Sequence, residues 1–196
     1  MLPRYNICPT DPIDVVTEQD GKRDFVRMPW GLVPRWWSKP LKELKAATSN
    51  ARAETLETKP FFRDAFKRTR CLIPASGYYE GRTERGGKQP YYFSRTDGDP
   101  PTFAGLWDEW KDHKTGEVLK SCTMVITEPN AAAAEIHDRM PVILERSDFD
   151  PWLREGGTNL LNPAANDVLQ RSPVSRRINS SGADPEDATL IDRVTV

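Results

Sequence analysis

Proline sets the terms for this fold. Seventeen prolines are spread along 196 residues, and each one removes a backbone donor and fixes φ. Long helices are therefore excluded, and the chain is expected to use short elements joined by many turns. Hydrophobic residues make up 37% of the chain and charged residues 29%, enough at this length for one domain with a real core.

The segments between the prolines carry periodic patterns. Asp24 to Leu32 reads as a strand with Trp30 near its end. "TKPFFRDAFKR" places Phe61, Phe62, Ala65 and Phe66 on one helical face, with Arg63, Asp64 and Lys67 outside. "CLIPASGYYEG" and "QPYYFSR" are strand-like runs joined by the turn-rich "RTERGGK". "TFAGLWDEW" and "EVLKSCTMVIT" predict a second hairpin, joined through "KDHKTG". "EPNAAAAEIH" predicts a short helix with Pro129 near its start, "RMPVIL" a buried strand, and "SDFDPWLRE" a helix capped by Ser147. Strands in hairpins mixed with helices define an α+β domain built on antiparallel sheet. The domain is expected over residues 1–171, with residues 172–196 an irregular tail packed on it.

Bulk properties remove several function classes. A net charge of −1 and a pI of about 6.2 give no global basic field, so any nucleic-acid contact must come from a local patch. Cys8, Cys71 and Cys122 are far apart and form no CxxC pair, which disfavours a disulfide framework or a zinc site and fits a reducing cytoplasm. With His113 and His137 as the only histidines, a His-rich metal site is excluded. No metal and no cofactor is expected. No apolar run approaches a membrane span, and no signal-peptide pattern opens the chain.

Four stretches could carry chemistry. In "SNARAET", an extended backbone puts Asn50, Arg52 and Glu54 on one face. A short amide beside a guanidinium suits a polar, anionic ligand; the plainer alternative is a loop in which Arg52 pairs with Glu54. In "PASGYYEG", alternation puts Tyr78 and Glu80 on one side of a strand and Tyr79 on the other. A carboxylate among aromatics is partly desolvated, which raises its pKa and suits acid–base work; otherwise Glu80 is an edge residue with its head in water. In "EIHDRMPVIL", His137, Asp138 and Arg139 stand between the end of a helix and a buried strand, where either a site or helix-end charge compensation fits. In "WGLVPRWW", Trp36 and Trp37 follow Arg35 in a loop, the ingredients of a base-stacking platform or of a core anchor.

Taken in order, "RYNICPT", "WGLVPRWW", "NARAET", "CLIPASGYYEG", "FAGLWDEW" and "IHDRMPVIL" resemble the successive motifs of the SOS-response-associated peptidase family, the abasic-site processing proteins. The resemblance runs from Arg4 to about Leu153. It implies a compact domain with a barrel-like, largely antiparallel sheet and flanking helices, monomeric and cytoplasmic, that senses abasic sites in single-stranded DNA. In the family an N-terminal cysteine, exposed by Met removal, captures the ring-opened sugar aldehyde as a thiazolidine crosslink. The resemblance makes Asn50 the positioning amide, Glu80 the acid–base group and His137 the group assisting at the lesion. It puts Arg52 and Arg139 at phosphates and Trp36 and Trp37 at the bend of the DNA.

Two departures stand out. Gly81 replaces the aromatic, most often Trp, that usually follows the family glutamate, so less apolar cover over Glu80 is expected. Family members open Met-Cys-Gly-Arg a few dozen residues before the "RYNI" segment, whereas here Met1 nearly abuts it. The expectation is that the segment with the nucleophile is missing from this chain. Cys8 has no free α-amine and cannot close a thiazolidine; Cys71 and Cys122 sit in apolar runs. Three activities follow for comparison: a crosslinker at abasic sites, a non-catalytic single-stranded DNA-binding module, and a cysteine peptidase acting on other proteins.

Overall fold

The computed structural model describes residues 3–180 and 182–196; Met1, where the missing segment is expected, lies outside the described residues. Along the chain run β1 (Pro12–Gln19), β2 (Lys22–Pro29), β3 (Asn50–Arg52), α1 (Arg63–Arg68), β4 (Arg70–Pro74), β5 (Tyr78–Glu84) and β6 (Gly87–Arg95). They are followed by β7 (Thr102–Lys111), β8 (Val118–Thr127), α2 (Ala131–Ala134), β9 (Met140–Pro141), α3 (Phe149–Arg154) and β10 (Leu169–Pro173). The strands form two sheets: a seven-stranded one ordered β2-β1-β4-β7-β8-β3 with β9 also on β8, and a three-stranded one ordered β10-β6-β5. The molecule is an α+β domain with every pairing antiparallel except β3 on β8.

Local chemistry explains the joints. Asp20 and Gly21 both take positive φ, 51° and 74°, the two-residue turn whose twist matches flanking strands. It closes β1 on β2, a hairpin whose first strand alternates buried Ile13, Val15 and Thr17 with outer residues. The run "CLIPASGYYEG" is not one strand. It breaks at Ala75-Ser76-Gly77, so β4 joins the large sheet and β5 the small one. Gly77 is required there, because a Cβ would stand 2.3 Å from the Phe93 carbonyl oxygen. Of "RMPVIL", only Met140–Pro141 pairs as a strand, although Val142, Ile143 and Leu144 remain buried. Helix α3 begins at Phe149 rather than after a Ser147 cap: Glu145 and Asp148 close a reciprocal capping box over the preceding 3-10 turn.

Two apolar clusters hold the layers together. Ile13, Val15, Met28, Cys71 and Trp107 of the large sheet face Tyr78, Tyr91, Phe93 and Leu169 of the small sheet. On the opposite face, Leu72, Ala104, Leu106 and Val125 lie under Phe66 of α1 and the fully buried Trp152 of α3. Buried Arg70 ties the two helix ends: its guanidinium donates to the carbonyls of Phe66, Trp152, Leu153 and Arg154. The large sheet curls until Trp30, just past β2, makes a single parallel bridge to Cys122 of β8. It is barrel-like in curvature without being closed by a continuous ladder. The chain beyond Ser172 starts inside β10 and buries Val174 and Leu190. Among the described residues, no helix is long and apolar enough to cross a membrane.

Candidate functional site

Strand β5 presents Tyr78 and Glu80 to the space between the sheets and Tyr79 to the other side. Tyr78 stacks on Phe93 at 4.9 Å between ring centroids, whereas Tyr79 packs on Tyr92 and its hydroxyl donates to the Tyr5 carbonyl at 2.7 Å. Glu80 sits at the rim, its side chain 27% exposed. Burial pushes its carboxyl above the usual carboxylate range, against the opposing pull of His137 and Lys88. The Tyr78 hydroxyl, on the same face, is buried with no hydrogen-bond partner.

Gly81 does not uncover Glu80. It pairs across with Pro90 while Glu80 pairs with Tyr91, and successive side chains point to opposite faces. A side chain at 81 would grow away from Glu80, into space that the Lys88 stem fills; a Cβ there would meet Lys88 Cδ at 3.0 Å.

His137 is brought to Glu80 by α2. Asn130 caps that helix by accepting from the Ala133 N–H at 2.8 Å, and the chain turns out with the His137 N–H donating to the Ala133 carbonyl. His137 Nε2 then stands 3.8 Å from Glu80 Oε2. Its Nδ1 lies 3.1 Å from the Arg139 backbone N–H and 3.3 Å from Asp138 Oδ1, so each ring nitrogen faces a carboxylate. An acid and an imidazole at this separation can pass a proton between them through a substrate group or a water.

Strand β3 lies beside β8 at one end of the large sheet. Ala51 pairs with Val125 and points into the outer cluster, so Asn50 and Arg52 face the other way, toward the side of the small sheet. Both are exposed. Arg52 takes part in no ion pair among the described residues; Glu54 pairs instead with Arg139, at 2.7 Å. That contact corrects the expected Arg52–Glu54 pair. Its physical reason is the 3-10 turn at Ala53–Thr55, which ends the extended backbone before Glu54. Arg139 and Glu54 border an open cavity of about 410 Å³ that also includes Thr127, Glu128 and Thr158.

Trp36 and Trp37 form a separate cluster. Trp36 is 43% exposed and packs edge-on against Phe61 at 5.3 Å. Trp37 is half-buried beside both rings. Their loop is fixed by a group the sequence reading did not single out, Asp108, buried on β7. It accepts from the Arg35 backbone N–H at 2.8 Å and from the Arg35 guanidinium, while Trp110 Nε1 donates to the Trp37 carbonyl. The signal was present: Asp108 lies between Leu106 and Trp110 on the apolar parity of its strand, where a carboxylate needs a partner.

None of the three cysteines is an activated thiol. Cys71 and Cys122 are buried, which drives their pKa up, to about 12 for Cys122; burial and then Asp11 raise Cys8.

The sequence and the fold have counterparts among known proteins. Residues 1–181 match the model of the SOS response associated peptidase (SRAP) family, and the chain belongs to that family. It is 35% identical over 185 residues to the abasic site processing protein YoaM of Bacillus subtilis, spanning 91% of this chain and 80% of that protein. It is 32% identical over 215 residues to the abasic site processing protein HMCES of Gallus gallus, spanning 91% of this chain and 63% of that one. A crystal structure of a protein from Bacteroides thetaiotaomicron superposes with a TM-score of 0.85 at 27% identity, covering 95% of this chain and 82% of that chain.

Proposed function

We propose that the protein processes abasic sites in single-stranded DNA, with Glu80 as its acid–base group. The observation that carries this reading is the Glu80–His137 pair, 3.8 Å apart, on the side of the large sheet toward which Asn50 and Arg52 point. A ring-opened abasic sugar offers an aldehyde and flanking phosphates. The aldehyde calls for a proton donor and a polar positioner, Glu80 and Asn50, and the phosphates for cations, Arg52 and Arg139. Arg139 reaches a phosphate by exchanging its Glu54 partner, and the Trp36–Trp37 cluster takes bases beyond the lesion.

In a form of the chain whose first residue is cysteine, capture is covalent. The α-amine adds to the aldehyde carbon and water leaves, giving an imine. The thiol then adds to the same carbon, its proton passes to nitrogen, and a thiazolidine closes. Glu80 supplies the proton to the departing water, and a pKa lifted by burial suits it to that task. The same cysteine serves autoproteolytic removal of the initiator Met. In such a form, Glu80→Gln is expected to slow adduct formation about 100-fold while changing DNA affinity by less than about twofold, measured by denaturing gel and by anisotropy. Equal loss of both would remove the acid–base role.

The three thiols favour a second reading. With Cys8, Cys71 and Cys122 all raised above the ordinary thiol value, this chain holds no activated thiol of its own, and reversible binding of single-stranded DNA is the alternative. A cysteine peptidase acting on other proteins is disfavoured on the same ground.

A further inference from the structure

Most arginines of this molecule are neutralised where they stand: Arg35 by Asp108, Arg95 by Asp97 and Glu145, Arg154 by Glu18. Lysines 22 and 120 also have carboxylate partners. Among the described residues the other lysines have none, and the loop between the Trp cluster and β3 stands out by holding three of them within seven residues. Lys39, Lys42 and Lys45 are exposed, take part in no ion pair among the described residues, and are opposed within the loop only by Glu43. No residue from Ser38 to Ala47 is buried, so the core does not dictate this composition. In a chain of net charge −1, three uncompensated cations on one short loop form a local positive field.

The loop's ends give that field a direction. One end is Trp37, whose carbonyl is held by Trp110, and Trp110 pairs with Leu119 of β8. The other is Asn50, which pairs with Met124 of the same strand. Five residues of strand at 3.4 Å each separate those levels by about 17 Å. We propose that residues 38–47 form a phosphate-tracking arm, over which the DNA strand flanking the lesion runs from Arg52 toward Trp36. The inference rests on single-stranded DNA being the ligand. Lysines suit the role because flexible point charges grip phosphates without reading sequence, and Trp36 at the far end offers a face for a base.

The test is the variant K39Q/K42Q/K45Q, whose changes are all on exposed side chains and whose fold is checked by circular dichroism. Anisotropy is read over a salt series with two abasic oligonucleotides. One has long flanks; the other ends about one nucleotide either side of the lesion and is too short to reach the arm. On the long one, the variant is expected to lower the slope of log affinity against log salt by about 2, for three lost phosphate contacts, and to weaken binding about tenfold or more near 0.1 M salt. On the short one, variant and wild type are expected to agree. Equal slopes on the long oligonucleotide overturn the arm. Equal weakening on both also overturns it, because the lysines then act as a diffuse field. Wild-type protein that binds neither oligonucleotide overturns the DNA reading, and the arm with it.

Discussion

At the scale of single residues, Glu80 is a partly buried carboxylate whose proton affinity the fold has raised. Its carboxyl titrates above its ordinary 4.5 because burial disfavours the charge. The folded state therefore holds the proton more tightly than the unfolded chain. The resulting stabilisation is full below about pH 4.5 and is lost as pH rises through the folded-state value. Glu80→Gln removes that titration. The variant is expected to melt above wild type at pH 8 and level with it at pH 4, read by thermal unfolding at the two pH values. A variant that melts lower at pH 8 would contradict the assignment. The partial burial of Glu80 beside Tyr78 was legible from strand alternation, and His137 stood out as one of two histidines, but their 3.8 Å approach was not. The Arg139–Glu54 pair was not, since it joins residues distant along the chain through a turn that periodicity does not reveal. The Gly81 expectation failed on a point the sequence did contain: period two points residue 81 away from Glu80.

At the scale of elements, α1 and α3 are too short to stand on propensity and depend on packing and on Arg70. That guanidinium is buried and satisfied wholly by carbonyls at two helix ends, and burial lowers its pKa. Arg70→Ala would leave those acceptors without donors in a dry site and is expected to cost about 3 kcal/mol or more, read as a lower urea midpoint. Arg70→Lys is expected to recover little, because an ammonium cannot span the fork. A midpoint shift under about 0.5 kcal/mol would refute the strut role. The β5–β6 and β7–β8 hairpins were legible from alternation broken by turn residues. The β1–β2 hairpin was missed, since only a strand from Asp24 to Leu32 was read, although Asp20-Gly21 and the alternation before it signalled the turn. The break between β4 and β5 was hidden, because its cause is the contact of Gly77 with the Phe93 backbone, which only the folded chain supplies.

At the scale of the whole molecule, the proposed function requires the two sheets to present Glu80, His137, Asn50 and Arg52 to one opening. The composition and proline spacing pointed to an α+β domain, but the strand order did not follow from them. β4 leaves its sequence neighbour to lie between β1 and β7, and β3 pairs in parallel with β8 across a long stretch of chain. That pairing sets Asn50 and Arg52 on the side of Glu80. The central claim, that this opening accepts an abasic sugar, is tested most directly on the protein purified from its own source. It would be mixed with single-stranded DNA bearing one abasic site, or with the intact sequence, and resolved on a denaturing gel beside a native binding assay. The account predicts a heat-stable adduct with the abasic strand alone when the N-terminal residue is cysteine, and reversible binding that favours the abasic strand when it is not. Equal affinity for abasic and intact strands, with no adduct in either case, would contradict it.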